Sequence, residues 1–254
     1  MRARGLLLTG VLLSALSASA AECRKDGLLL FPTPGAVIPT NAQFILEGAG
    51  AAQQQVQDLL TSDSIALVAR GQEPIQVKAE KGYVSQMSRV ALRLRPLKPM
   101  EPNVEYSLAL PSSFAGVPLL NDKLGDGTLR WLTGPGVDKK APRYKQKPAS
   151  SEGFYELDKQ GGLTRKLKLR SVVDENGPAF FVVTMTRARG SSARQEYPVA
   201  LDGDTLTLGH DACSGNFGFD DGRAYKLTFE LFDAAGNRSN EKASLEVAAP
   251  RALK

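Results

Sequence analysis

Residues 225–231, YKLTFEL, decide the fold class, because apolar and polar side chains alternate strictly along them. In an extended chain, successive side chains point to opposite faces, so the apolar residues from Tyr225 to Leu231 would share one face. Residues 88–95, SRVALRLR, alternate in the same way, and so do residues 104–110, VEYSLAL. This period of two is typical of antiparallel strands with one buried and one solvated face.

Turn-forming residues separate these runs from other short apolar segments. Residues 71–74 read GQEP, residues 202–204 read DGD and residues 233–237 read DAAGN. Such residues accept tight or left-handed backbone. Residues 51–60 are the single helical candidate, and their length allows a turn or two. Short strands without intervening helices predict an all-β fold made of β-sandwiches.

The first 20 residues have the three parts of a secretory signal peptide. Arg2 and Arg4 are followed by the apolar residues 5–16, and then by the small residues Ala18-Ser19-Ala20. The alternative is an uncleaved anchor, although the apolar stretch is short for a membrane span. Export to the periplasm or the medium is therefore expected, with no membrane span in the mature chain.

The rest of the chain divides at a stretch rich in proline and lysine. We predict domain 1 over residues 21–134, a linker over residues 135–150 and domain 2 over residues 151–254. The linker lacks apolar periodicity, which is typical of a connection between domains. Its basic residues could contact an acidic partner, but a solvated linker is the favoured interpretation.

The net charge of the chain does not indicate binding to nucleic acid. The formal net charge of the whole chain is +5, and the two arginines of the signal peptide account for part of it. The remaining +3 is too small to indicate a nucleic-acid partner, and no basic run alternates with aromatic residues.

The two cysteines, Cys23 and Cys213, predict a disulfide bond. An even number of cysteines in an exported protein favours pairing, whereas two free thiols are the alternative. A lipid anchor on Cys23 is not expected, because the charged Glu22 stands where a lipobox has a small residue.

Several motifs resemble bacterial Ig-like domains of exported and surface proteins. The resemblance rests on residues 31–41, FPTPGAVIPTN, with residues 97–108 and the final residues 129–134, LRWLTG. In the second half, residues 138–142 and residues 232–239, FDAAGNRS, are similar to the junction and hairpin of such modules. The resemblance implies two tandem Ig-like antiparallel β-sandwich domains. It also implies a binding, spacer or adhesive role without a shared active site.

The search for catalytic and metal-binding residues gives weak candidates. His210 is the only histidine and stands near Cys213, but no G-x-S-x-G motif accompanies it, so a surface turn is the favoured interpretation. One histidine and two cysteines are too few for a typical zinc site. Asp220 and Asp221 are candidates for calcium, against the simpler role of accepting local backbone hydrogen bonds. No cofactor motif is present, and we predict no catalytic or metal site.

Aromatic side chains of the second half are expected in the core, and Tyr225 is expected to form a tyrosine corner. The sequence thus predicts an exported, non-enzymatic protein that binds or positions a protein or glycan partner. The alternatives are a secreted hydrolase with acidic residues on loops, and a spacer or chaperone-like module that accepts a strand at a sheet edge.

Overall fold

The computed structural model describes residues 26–62, 64–159, 161–175, 177–190 and 193–252. The predicted signal peptide and Cys23 lie outside these residues. Within them the regular secondary structure is almost entirely β-strand, as predicted, with one α-helix and two short 3-10 helices. The elements of the first half are β1 Gly27–Phe31, β2 Val37–Ile38, β3 Phe44–Ala49, α1 Ala52–Asp58, β4 Ala66–Val68, β5 Ile75–Val84, β6 Arg89–Pro96, β7 Glu105–Ala109 and β8 Arg130–Thr133. Those of the second half are β9 Arg143–Leu157, β10 Leu163–Asp174, β11 Ala179–Arg187, β12 Gln195–Ala200, β13 Thr205–His210, β14 Ala224–Asp233 and β15 Ala243–Ala248.

The first sandwich is one continuous ribbon of strands folded into two layers. The strand order is β1-β3-β6-β5-β4-β7-β8-β2. Strand β5 forms the corner, because Ile75 and Gln76 pair with β4 while the residues from Val77 onward pair with β6. The core lies between the layers, where the rings of Phe44 and Trp131 approach to 4.8 Å between their centroids.

The second sandwich has three strands facing four. Strands β13-β10-β9 form one sheet and β12-β11-β14-β15 form the other, with every neighbouring pair antiparallel. Leu167, Leu169 and Leu206 of the first sheet pack in the same core as Phe181 and Phe229 of the second. The predicted antiparallel β-sandwich is confirmed here. The aromatic residues predicted to lie in the core are buried: Phe180, Phe181, Phe217, Phe219, Tyr225 and Phe229.

Each sandwich contains a tyrosine corner. The hydroxyl of Tyr225 accepts a hydrogen bond from the backbone N–H of Asp220 at 2.7 Å, which confirms the predicted corner. In the first sandwich, the hydroxyl of Tyr106 accepts one from the backbone N–H of Glu101 at 3.1 Å. Both tyrosines lie five residues after their donor and at the start of the penultimate strand of their sandwich. The two sandwiches thus share this local contact, although they lack an exact sequence repeat.

The predicted linker is too long, because its second half forms part of strand β9. Arg143 pairs with Asp174 and Tyr144 with Val173 in the ladder between β9 and β10. Only residues 135–142 connect the sandwiches. Lys145, one of the basic residues of the predicted linker, lies on this exposed strand and forms an ion pair with Asp174 at 3.0 Å.

The outer face of the first sheet is covered by the second sandwich. Phe31, Ile45 and Ala91 point away from their own core and join the core cluster of the second sandwich. The ring of Phe31 lies 5.1 Å from that of Phe180, which in turn stacks on Phe232 at 5.2 Å. The face of β6 that was predicted to be solvated is therefore largely a domain interface.

Polar contacts fix the relative position of the two sandwiches. Arg89 forms an ion pair with Glu47 at 2.7 Å, and its Nε donates to the Ser214 hydroxyl of the second sandwich at 3.2 Å. The backbone N–H of Gly215 donates to the Met87 carbonyl at 2.7 Å, and the backbone N–H of Gln43 donates to a carbonyl of the second sandwich at the same distance. Apolar packing and directional hydrogen bonds together hold the two sandwiches against each other.

Candidate functional site

A cavity of about 650 Å³ lies where the two sandwiches meet. The turn between β5 and β6 supplies Gln86 and Met87 from the first sandwich, and strands β11 to β14 with the segments between them supply the remaining walls. The volume is in the range of small-molecule and side-chain binding sites. Because both sandwiches contribute walls, the cavity exists only when they are docked.

The first-sandwich wall is held in place from both sides. The backbone N–H of Met87 donates to the Ser85 hydroxyl at 2.9 Å, and this hydroxyl donates to the Gly215 carbonyl at 2.6 Å. The side-chain amide of Gln86 accepts a hydrogen bond from Gln195 Nε2 across the interface at 3.2 Å. These bonds position the turn against the second sandwich.

His210 lies on the wall of this cavity and is only 6% exposed, so the predicted surface turn is wrong. It is the last residue of β13, and two glycines allow its close packing. A Cβ on Gly215 would lie 2.3 Å from the His210 Cβ, and one on Gly209, whose φ is 123°, would lie 2.0 Å from the Arg165 carbonyl oxygen. His210 Nδ1 lies 3.0 Å from the carbonyl oxygen of Asp211, so Nδ1 carries the proton.

Arg187 and Asp220 are the charged groups of the cavity, and they neutralise each other. Their side chains form an ion pair at 2.6 Å, and both are partly exposed. The hydrogen bond from Arg187 holds the pKa of the Asp220 carboxyl below its usual value. Burial raises the pKa of the neighbouring Tyr225 hydroxyl, which stays protonated at neutral pH. The cavity therefore presents polar groups but little net charge.

The second calcium candidate, Asp221, faces a different partner. It pairs with Arg165, whose side chain is 2% exposed and also donates to the Phe219 carbonyl oxygen at 2.5 Å. Asp220 and Asp221 are thus each bound to a guanidinium group. A calcium ion would have to displace both arginines, so the arrangement favours ion pairing over calcium at this loop.

Cys213 lies in the loop that follows His210. Its backbone N–H and that of Ser214 both donate to the Asp211 carboxylate, at 3.1 and 3.0 Å. Cys23 lies outside the described residues, so the Cys23–Cys213 disulfide bond stays a prediction.

Three acidic residues lie together beside the connection between the sandwiches. The sequence did not predict a site there. One carboxylate oxygen from each of Asp138, Glu175 and Asp233 lies within 4.8 Å of the others. Asp233 is 1% exposed and accepts hydrogen bonds from the backbone and side chain of Asn237, each at 2.8 Å. The cluster brings together the Asp138 and Asp233 motifs on which the family resemblance rested.

Burial raises the pKa of Asp233 to about 6, which gives the first prediction. The folded state binds the proton more tightly than the unfolded state, whose pKa is near 3.8. The associated stability is therefore fully present below pH 3.8 and is lost as the pH rises through about 6. Two pKa units correspond to about 2–3 kcal/mol.

The measurement is the free energy of unfolding in urea between pH 4 and pH 8 for the wild type and Asp233→Asn. The wild type should lose stability across this range, and the variant should lose less. Asp174→Asn serves as the control, since the pKa of Asp174 is lowered by its hydrogen bond with Lys145 and contributes only at lower pH. An identical pH dependence in the wild type and Asp233→Asn would contradict the assignment.

Comparison with known proteins assigns no family. No family model matches the chain, and no curated protein matches it. Among solved structures, a chain described as "Cytokine receptor complex - Crystal form 1A" is 10% identical. The match covers 85% of this chain and 96% of that one, with a TM-score of 0.25, which is too low to carry an argument. Among the described residues, no helix combines the length and the apolar composition that crossing a membrane requires.

Proposed function

We propose that this chain is an exported, non-enzymatic Ig-like binding protein that holds a protein or glycan partner at the cavity between its two sandwiches. The observation that supports the proposal is the cavity itself, about 650 Å³ in volume and walled by both sandwiches. Concave sites at domain junctions are preferred places for ligands.

The chemistry of the walls favours a neutral, polar group of the partner. Arg187 and Asp220 already compensate each other, so a charged ligand would have to break their ion pair. The amides of Gln86 and Gln195 and the imidazole of His210 can exchange hydrogen bonds with hydroxyl or amide groups. Sugar hydroxyls and asparagine or glutamine side chains have this character.

The polar groups of the cavity hold each other in structural contacts, which supports binding over hydrolysis. The Asp220 carboxylate has a lowered pKa and is therefore a weak base, and the Tyr225 hydroxyl accepts a backbone hydrogen bond. The packed, hydrogen-bonded interface between the sandwiches supports a preformed recognition surface more than a flexible spacer.

The test is a binding screen of the mature protein against neutral, acidic and basic oligosaccharides and short peptides, followed by calorimetric titration of the hits. For a neutral ligand that uses the cavity, Arg187→Ala should weaken binding at least about tenfold, because the ligand would then cover an Asp220 carboxylate that has lost its ion pair. Tenfold corresponds to roughly 1.4 kcal/mol. Analysis of the ligands after incubation reports any cleavage.

Arg170→Ala is the matched control, because Arg170 also pairs with an aspartate on the second sandwich, Asp204 at 3.6 Å, but does not line the cavity. Equal loss of affinity in the two variants would place binding elsewhere. Cleaved ligand in the wild type, with less in His210→Ala, would replace the proposal with the hydrolase alternative.

A further inference from the structure

Strand β9 is an edge strand with an open side. Within the described residues it pairs only with β10, at the end of the three-stranded sheet. An edge strand presents unpaired backbone N–H and C=O groups that can accept a further strand. The two halves of β9 differ in how this edge is protected.

The first half of β9 carries the features with which proteins block such edges. Lys145, Lys147 and Pro148 lie in it, and the pairing with β10 is interrupted opposite it by register shifts. Charged side chains, proline and bulges all hinder the addition of a strand.

The second half, residues 152–157, has no lysine, no proline and no bulge, and its only charged side chains are the two glutamates. Its six residues pair with residues 163–168 of β10 without a shift in register. It exposes Phe154 by 40% and Leu157 by 60%. This half is a regular, partly apolar template for another strand.

The side chains of this template specify the chemistry of the strand that fits it. Glu152, Phe154 and Glu156 alternate along one face, opposite Lys168, Lys166 and Thr164 of β10. The existing neighbour already matches this pattern, because Lys168 forms an ion pair with Glu152 at 2.7 Å. A strand on the open side would meet the same acidic–aromatic–acidic row.

A second copy of the chain fits the row poorly. If two copies paired antiparallel with Phe154 opposite Phe154, Glu152 of each copy would face Glu156 of the other. Like charges directly opposite each other destabilise a strand pair. A basic strand meets no such repulsion.

We propose that residues 152–157 bind an extended, basic segment of a partner protein as a fourth strand of this sheet. Lysine or arginine residues of that segment face Glu152 and Glu156, and an apolar residue between them packs on Phe154. Backbone hydrogen bonds to the edge supply affinity, and the alternating side chains supply selectivity. This surface is separate from the cavity, so the proposal stands independently of the function assigned there.

The probes are two capped nonapeptides, one alternating lysine with valine and the other alternating glutamate with valine. Titration of the mature protein by calorimetry should give at least tenfold tighter binding for the lysine peptide. The double variant Glu152→Lys/Glu156→Lys should reverse this preference. The control Glu73→Lys/Glu101→Lys has the same net charge as this double variant, but both of its changes lie on the first sandwich. It should prefer the lysine peptide as the wild type does.

Equal affinity for the two peptides, or equal loss of preference in the control, would overturn the proposal. So would a wild-type dimer in sedimentation that persists at saturating lysine peptide and protects residues 152–157 from amide exchange, since a second copy would then occupy the edge. If the double variant fails to fold, amide hydrogen exchange of the wild type tests whether the lysine peptide binds at residues 152–157. The lysine peptide should slow exchange within residues 152–157, and unchanged exchange there would reject the assignment.

Discussion

Replacing Arg89 with alanine will lower the free energy of unfolding by about 3–5 kcal/mol. The side chains of Arg89 and Glu47 are only 20% and 13% exposed, and they form an ion pair at the interface of the two sandwiches. Without Arg89, the Glu47 carboxylate would stay buried and uncompensated. Burial already raises the pKa of Glu47 although Arg89 opposes the shift.

Arg95→Ala on the same strand is the matched control. Arg95 pairs with Glu80, but its side chain is 47% exposed, so its loss should change stability by about 0–1 kcal/mol. Urea denaturation at pH 7 measures both variants. Equal losses would contradict the role of burial at Arg89.

A double variant distinguishes a lost ion pair from a general disturbance of the interface. Glu47→Gln combined with Arg89→Ala removes both charges, so it should recover a substantial part of the stability lost in Arg89→Ala alone. The stability of Arg89→Ala should come closest to that of the wild type at low pH. The buried Glu47 carboxyl has a raised pKa and is neutral there, so it needs no partner. As the pH rises through this pKa, the carboxyl ionises and the variant loses stability.

The alternating segments made the strands predictable, but they did not reveal the interface. Strict alternation in residues 225–231 correctly indicated a strand, and the turn sequences correctly separated such strands. The interface left a different signal. Residues 44–46, FIL, and residues 179–183, AFFVV, are continuous apolar runs, which are typical of strands buried on both faces.

The site was less predictable, because long-range contacts build it. Arg187 and Asp220 are 33 residues apart, and Gln86 and Gln195 are 109 apart. No local pattern relates such pairs. The prediction of a surface turn at His210 is wrong because polar and glycine neighbours are typical of a surface loop, whereas here the glycines permit close packing around a buried ring.

Phe31→Ala will uncouple the two sandwiches as well as destabilise them. Phe31 is 6% exposed, and its ring contacts Phe180 of the second sandwich rather than the core of its own. Removing a buried phenylalanine side chain typically costs about 3–5 kcal/mol. Because that loss falls on the interface, the single calorimetric unfolding transition expected of the wild type should separate into two.

Phe114→Ala is the control that makes this result specific. Phe114 is 8% exposed and belongs to the core of the first sandwich, away from the interface. Its removal should lower the melting temperature but leave one transition. Since the cavity has walls from both sandwiches, Phe31→Ala should also weaken binding of any cavity ligand more than Phe114→Ala does. Two transitions already present in the wild type, or equal effects of the two variants on binding, would mean that docking of the sandwiches does not build the site.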